Sequence, residues 1–411
     1  MAPRFELKIS FVLTLLLSTT APRAEVLLRP DVRPAAVINE IAGIVGREFF
    51  DKDGLGPFGA SASRFRDMAL SGAGLAEASE AWLATLGATH TGRFTPDQID
   101  YYELAEVFHR GLGRRRMDLF PPEGVVTYPG IGIAPRTIGE KTFVAYVYDG
   151  GPADRSGVLA GDEILAVDGM PYAPIASFRG KVGRSVSLEV RRAPNAAPLA
   201  ISVPVETIQP RDSLMNAIRE SARIIEKDGR RIGYLRLWAF AFSGVEDLVM
   251  ELLASEPLEG ADGLVVDMRG RWGGAPADAA DIFVGRAPRV ELTERDGDTH
   301  IANARWRKPI VGIIDAGSRS GMEILAHGLQ SAGVPLIGAR TAGAVVAGRA
   351  FLLADNSLLE VAVLDVHIDG ERLEGVGVTP DIEVPQELPY AAGADPQLDR
   401  AVAELAGMLA S

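Results

Sequence analysis

An α/β fold is predicted by three features of the chain. Runs that are apolar throughout, Gly263–Met268 and Pro309–Asp315, have the length of strands and alternate with stretches of helical periodicity. Residues from about 125 to 205 form short β-type runs separated by turn residues, and residues from about 30 to 120 repeat apolar side chains every three or four positions. Strands apolar on both faces belong to a sheet covered on both sides, so helices must pack against it.

Each element follows from its local pattern. Val37–Phe50 and Tyr101–Phe108 are predicted amphipathic helices on a common core, and the polar stretch Ala88–Pro96, broken by Gly92 and Pro96, a loop. Gly130–Ile133 is predicted to open a strand, and Phe143–Val147 is a second. In the last part Ile232–Leu237 reads as strand, Val245–Leu253 as helix, Gly263–Met268 as strand and Ala275–Val284 as helix. Pro309–Asp315 is the next strand, Met322–Gln330 a helix and Val334–Gly338 a further strand. No solenoid repeat or low-complexity tract interrupts the alternation.

Composition narrows the chemistry. The 411 residues are 47% hydrophobic and 24% charged with a net charge of −13, a balance that provides a core and argues against nucleic acid as a partner. There is no cysteine, which excludes a thiol nucleophile, disulfides and thiolate metal sites. The chain has five histidines, His90, His109, His300, His327 and His367, and six lysines against 36 arginines, so few groups can serve as a base near neutrality. At the N-terminus Arg4 and Lys8 precede the apolar run Ile9–Leu17 and the small residues Ser18–Ala21, the three parts of a secretory leader. Cleavage after Ala21 or Ala24 would leave a mature chain with no integral membrane span, in a periplasm or outside the cell.

The segment Gly151–Gly169 places a short helix, a Gly-Asp turn and a strand ending at Asp-Gly in succession, and in this it closely resembles PDZ domains. The resemblance implies capture of an extended peptide by strand addition, with backbone N–H groups holding a terminal carboxylate. By the same resemblance the carboxylate loop is Tyr128–Ile133, with Gly130, Ile131, Gly132 and Ile133 as peptide-binding residues.

Two strand-to-helix junctions stand out beyond it, because unpaired N–H groups and helix dipoles converge there. Asp267–Ala275 carries the paired glycines Gly273 and Gly274, and Asp315–Ile324 sets Ser318 and Ser320 on a turn before a helix. A serine there suits attack on a carbonyl with neighbouring N–H groups stabilising the oxyanion, although helix capping is the commoner role. Taken together, Asp267-Met-Arg269 with Gly273-Gly274, Ser318-Arg-Ser-Gly-Met-Glu323 and Gly375-Val-Gly-Val-Thr-Pro-Asp381 resemble the C-terminal processing peptidases and tricorn-protease cores. The resemblance runs over about residues 125 to 390. It implies a crotonase-like α/β core, Ser320 as nucleophile, and an oxyanion hole from Gly321 with Gly273 or Gly274.

One departure bears on mechanism. Processing peptidases carry a lysine base in a Thr-Phe-Gly-Lys-Gly segment, whereas this chain reads Thr341-Ala-Gly-Ala344-Val, and its last lysine, Lys308, opens a strand ahead of the serine. The tricorn branch instead uses a histidine from a Ser-His step ahead of the PDZ domain. Thr89-His90 lies there, so the resemblance makes His90 the base, Thr89 a relay, and Glu374, 54 positions after Ser320, the acidic partner.

The other histidines compete poorly. His327 follows Ser320 by seven residues on the same predicted helix, roughly 10 Å along it. His109 sits on an amphipathic helix and His300 in a polar stretch, which leaves His367, near Glu374 in sequence, as the rival. Asp267 and Asp381 read as turn-fixing strand-end aspartates. No metal or cofactor is expected.

The expected organisation is a leader over 1–24, a helical region over 25–122, a PDZ domain over 123–206 and a serine peptidase core over 207–411. The partner is a protein or peptide substrate. The competing reading is a PDZ peptide-binding protein that keeps the peptidase fold without activity, while an acyl-CoA enzyme is disfavoured by export and by the PDZ module.

Overall fold

The computed structural model describes residues 25–71, 74–270, 272–285, 290–302 and 305–410. The expected leader lies outside the described residues, as does the side chain of His300.

Helices α1 (Pro34–Glu48), α2 (Leu55–Leu70) and α3 (Gly74–Ala84) come first. Pro34 opens α1, where its missing N–H costs nothing, and Val37, Ile38, Ile41, Ile44 and Val45 recur on one buried face. The stretch read as a loop contains a short strand, β1 (Gly92–Phe94), before α4 (Ile99–Val107) and α5 (Gly113–Leu119). Local polarity hid β1 because its pairing partner lies far along the chain, at Leu358–Glu360.

The middle of the chain is a five-stranded antiparallel sheet. β2 (Tyr128–Gly130) stands apart from it, and β3 (Ile133–Ile138) and β4 (Lys141–Val147) form its first hairpin. The strand expected to start at Gly130 is therefore interrupted at Gly132, which has a φ of 76°. Then come α6 (Pro152–Arg155), β5 (Glu163–Val167), β6 (Ser185–Arg191), β7 (Leu199–Pro204) and β8 (Glu206–Ile208), which pairs with β2. The order β3-β4-β5-β6-β7 leaves β3 at an edge.

The last part contains α7 (Pro210–Ser221), β9 (Arg223–Lys227), β10 (Arg230–Arg236), α8 (Val245–Leu253) and β11 (Gly263–Asp267). After them come α9 (Asp281–Val284), the hairpin β12 (Val290–Thr293) and β13 (Thr299–Ala302), β14 (Ile310–Ile314), α10 (Gly321–Ser331) and β15 (Leu336–Gly338). β16 (Ala347–Leu352), β17 (Leu358–Leu364), β18 (Ile382–Glu383) and α11 (Pro396–Ala410) complete the chain. The helix expected from Ala275 is confined to α9. Gly274 has a φ of 83°, Pro276 lacks an N–H, and the chain between them lies against the start of α10 instead of coiling.

β18-β15-β14-β11-β10-β9 form the central sheet, parallel except for the β9–β10 pair. Leu264 and Val266 of β11 face a core shared with α8 and α10, while Val265 faces α11. This two-sided burial is what the unbroken apolar runs require. A second sheet, β1-β17-β16, is covered by α1–α3 through Leu359 and Val361 and by α4 through Ala350, Leu352 and Leu358. Among the described residues no helix is long and apolar enough to cross a membrane.

Candidate active site

Ser320 sits at the turn between β14 and α10 with φ 56° and ψ −129°, a conformation unfavourable for a residue with a Cβ. The surroundings hold it there. Its N–H donates to the carbonyl of Ala344 at 2.7 Å and to Glu323 Oε2 at 3.2 Å. Glu323 also accepts the N–H groups of Gly343 (2.8 Å) and Ala344 (2.7 Å) and the Thr341 hydroxyl (2.5 Å). Burial pushes the Glu323 carboxyl upward, and these hydrogen bonds restrain that rise. Ser318 is fully buried, its hydroxyl donating to the carbonyl of Met268 at 2.9 Å, so it braces the turn.

The glycine turn packs directly on this serine. A Cβ on Gly273 would lie 2.6 Å from both the Arg319 carbonyl and the Ser320 Cβ, and one on Gly321 would lie 2.6 Å from the Gly274 nitrogen. Only glycine permits these approaches, and they bring the backbone of residues 273–274 alongside the first residue of α10.

Histidine and acid arrive from opposite ends of the sequence. Glu374 Oε1 accepts the Thr89 N–H at 2.9 Å, and its Oε2 accepts the Thr89 hydroxyl at 3.0 Å and the N–H groups of Val345 (2.8 Å) and Val346 (3.2 Å). Burial alone would raise this carboxyl, but the hydrogen bonds from Thr89, Val345 and Val346 more than offset it and hold it below the usual range. Thr89 Oγ1 also lies 3.1 Å from His90 Nδ1. The His90 ring is pushed down to about 4, chiefly by burial and then by the Arg319 charge, with Glu374 pulling the other way.

Residues 343–346 connect the two halves. Gly343 and Ala344 donate to Glu323 on the serine side, Val345 and Val346 donate to Glu374 on the histidine side, and the Ala344 carbonyl receives Ser320. Residues 343–346, including Ala344, thus form a backbone strip between two carboxylates.

The remaining candidates lie as follows. His109 Nδ1 is 2.7 Å from the Glu106 carbonyl, His327 Nε2 is 3.5 Å from Asp369, and His367 is exposed on a loop. Lys308 Nζ donates to the carbonyls of Glu259 and Ala261. Asp267 pairs with Arg269 at 2.7 Å, and Asp381 accepts the Leu336 N–H at 2.8 Å, so both aspartates fix local structure. Ile131 and Ile133 are buried in the five-stranded unit, and the carbonyls of Ile131 and Gly132 accept the N–H groups of Ala153 and Tyr148.

Sequence reading missed three groups near the site. Glu360 of β17 is buried, and a side chain at Gly348 would meet both its Oε1 at 2.8 Å and the His90 Cβ at 3.2 Å. A lone carboxylate inside the apolar run Leu358–Leu364 was the available signal. The others are Arg319, whose guanidinium lies 6.0 Å from the Trp272 ring, and Glu103, buried on α4.

A strained serine on a strand-to-helix turn, glycines against it and an antiparallel five-stranded module ahead of the core are the arrangement expected of PDZ-containing serine peptidases. Residues 231–384 match the model of peptidase family S41 and residues 143–192 that of the PDZ domain. The chain is 30% identical over 256 residues to the carboxyl-terminal-processing protease of Picosynechococcus, covering 58% of this chain and 59% of that one. It is also 30% identical over 257 residues to tricorn protease homolog 1 of Streptomyces coelicolor, covering 60% of this chain and 24% of that one. The chain thus spans about six-tenths or less of the length of these relatives. Among solved structures, the tricorn protease superposes with a TM-score of 0.52 at 16% identity, covering 92% of this chain and 37% of that one. Mature CPAF complexed with lactacystin superposes with a TM-score of 0.51 at 11% identity, covering 92% and 99%. Both show likeness of fold.

Proposed function

We propose that the chain is an exported serine endopeptidase that cleaves protein or peptide substrates through an acyl-enzyme on Ser320, with His90 as general base. The observation that carries this reading is the hydrogen-bond chain Glu374–Thr89–His90. The Thr89 hydroxyl has one proton, and an ionised Glu374 can only accept it. The contact between Thr89 Oγ1 and His90 Nδ1 therefore requires Nδ1 to be the donor, which leaves Nε2 with a free lone pair. A ring held neutral down to about pH 4 is ready to take the Ser320 proton over the whole physiological range. The imidazolium then formed is stabilised through Thr89 by Glu374, while N–H groups of Gly321 and of Gly273 or Gly274 receive the oxyanion.

The core is read as crotonase-like, occupying 207–411 behind a helical region over 25–122 and a PDZ domain over 123–206. In the PDZ domain the edge position of β3 and the loop Gly130–Ile133 support capture of a peptide or C-terminal tail as an added strand. Export rests on the leader pattern of residues 1–24.

A serine-directed phosphonate tests the assignment on wild type, Ser320→Ala and His90→Ala. Labelling is expected in the wild type, to vanish in Ser320→Ala and to slow at least 100-fold in His90→Ala. Labelling that persists without Ser320 refutes the nucleophile, and a rate unchanged without His90 refutes the base. Wild type that neither labels nor cleaves peptides would favour the peptide-binding alternative.

A further inference from the structure

Glu103 has no part in the chemistry above, yet it is a carboxylate buried on α4 beside the glycine turn. It accepts the Tyr148 hydroxyl at 2.8 Å and the Trp272 indole N–H at 2.5 Å. Trp272 immediately precedes Gly273 and Gly274, and its backbone bridges Ala239 in parallel fashion. Tyr148 follows β4, and its ring packs edge-on against Trp238 at 5.0 Å. Burying a carboxylate costs several kcal/mol unless its partners compensate, and apart from Glu106, at 8% exposure, α4 fills its other buried positions with Ile99, Tyr101, Tyr102, Leu104 and Ala105. Packing alone thus gives no reason for an acid here.

We propose that Glu103 is a positioning residue for the oxyanion turn: by holding the Trp272 indole it fixes the peptide that leads into Gly273 and Gly274. The inference rests on Ser320 being the nucleophile. Its physical basis is that N–H donors to an oxyanion act only when correctly aimed, one misplaced donor costing about 10²–10³ in rate. The indole is a rigid lever joined to the backbone Cα through the single Cβ, and the carboxylate is the acceptor at its far end.

The charge state of Glu103 adds a readout. Burial pushes its carboxyl up to about 7, and the Tyr148 and Trp272 hydrogen bonds pull it back. The groups facing it include Tyr148, Trp272 and, from β2, Tyr128; Glu106, one turn along α4, faces His109, Arg116, Arg211 and Asp212. The ionised carboxylate accepts both hydrogen bonds as charge-assisted contacts, whereas the protonated acid accepts them more weakly. Acylation is therefore expected to fall as pH drops through about 7, where His90, already neutral down to about 4, contributes no change.

The test measures phosphonate inactivation on the full chain, separating the limiting rate kinact from the binding constant KI between pH 5 and 9. The variants are Glu103→Gln, Trp272→Phe, their combination, Glu360→Gln and Ser320→Ala. Glu103→Gln and Trp272→Phe are each expected to lower kinact about 10- to 100-fold at pH 8 with KI within threefold, and the double variant to be no worse than the poorer single one. The limb near pH 7 is expected to disappear in Glu103→Gln and to persist in Glu360→Gln. An unchanged kinact per folded molecule, multiplicative single effects, or a limb lost only in Glu360→Gln would each overturn the inference. Should Glu103→Gln fail to fold, Trp272→Phe decides by the same ratio of kinact to KI effects. Labelling retained in Ser320→Ala marks failure of the nucleophile assignment itself, whereas labelling lost there but normal in Glu103→Gln and Trp272→Phe defeats only the positioning role.

Discussion

Thr89 holds Glu374 with both its backbone N–H and its hydroxyl, at 2.9 and 3.0 Å, although 285 positions of sequence separate them. Among the described residues the hydroxyl links that carboxylate to the His90 ring in the hydrogen-bond chain. Thr89→Val, which keeps the N–H contact and the shape, is expected to slow phosphonate acylation about 10- to 100-fold, a share of what general-base catalysis contributes. Thr89→Ser is expected to stay within threefold of wild type. Equal rates in the valine and serine variants would remove Thr89 from the relay.

Gly273→Ala addresses the opposite wall of the site. The added methyl would fall 2.6 Å from the Arg319 carbonyl and the Ser320 Cβ, neither of which can swing away as a flexible side chain could. Acylation is expected to drop at least 100-fold, with a loss of stability of about 1–3 kcal/mol from overpacking, read by urea denaturation. A fully active alanine variant would show that this turn lies outside the reacting centre.

Glu360 gives a pH-dependent stability prediction. Burial pushes its carboxyl up to about 7, with Arg319 opposing, against 4.5 for the free group. The unfolded chain therefore releases this proton first, so the fold is weakened progressively as pH rises from 4.5 to about 7, and the loss is complete above that. At about 1.4 kcal/mol per pKa unit the penalty is on the order of 3 kcal/mol. Glu360→Gln is expected to raise the melting temperature at pH 8 and leave it unchanged at pH 4. A shift of the same size at both pH values would contradict the assignment.

Arg93 on β1 and Asp355 ahead of β17 form a buried ion pair at 2.5 Å, with side chains 3% and 5% exposed. Arg93 Nε also donates to Ser357 Oγ at 2.9 Å. Arg93→Ala strands a buried carboxylate and is expected to cost about 3–5 kcal/mol, while Arg93→Met with Asp355→Leu is expected to recover most of it. Because β1 has three residues and follows His90 by two positions, acylation is expected to fall with stability in the single variant. Denaturant midpoints and labelling rates measured together check both parts.

The central sheet was legible in the sequence because β11 and β14 are buried on both faces, and such strands need apolar residues at every position. Ser320 and the glycine pair were legible as punctuation between strand and helix, and the family pattern gave them roles to test. β1 was not legible, since its three residues are strand only by pairing with residues some 270 positions away. Glu103 and Trp272 escaped for the same reason. A glutamate on an amphipathic helix looks like part of a solvated face until the fold buries it against an indole contributed from 169 positions further on.

The pairing of β1 with β17 also imposes an order in time. Synthesis delivers the Thr89-His90 loop early and the Ser320 turn much later, and the strand that seats the loop, Leu358–Leu364, later still. A chain interrupted between Ser320 and that strand holds the serine turn without the surface on which its proposed base is mounted. Assembly of the proposed reacting groups thus waits for a strand that starts well after Ser320, so by topology alone the proposed base and nucleophile meet only late in folding.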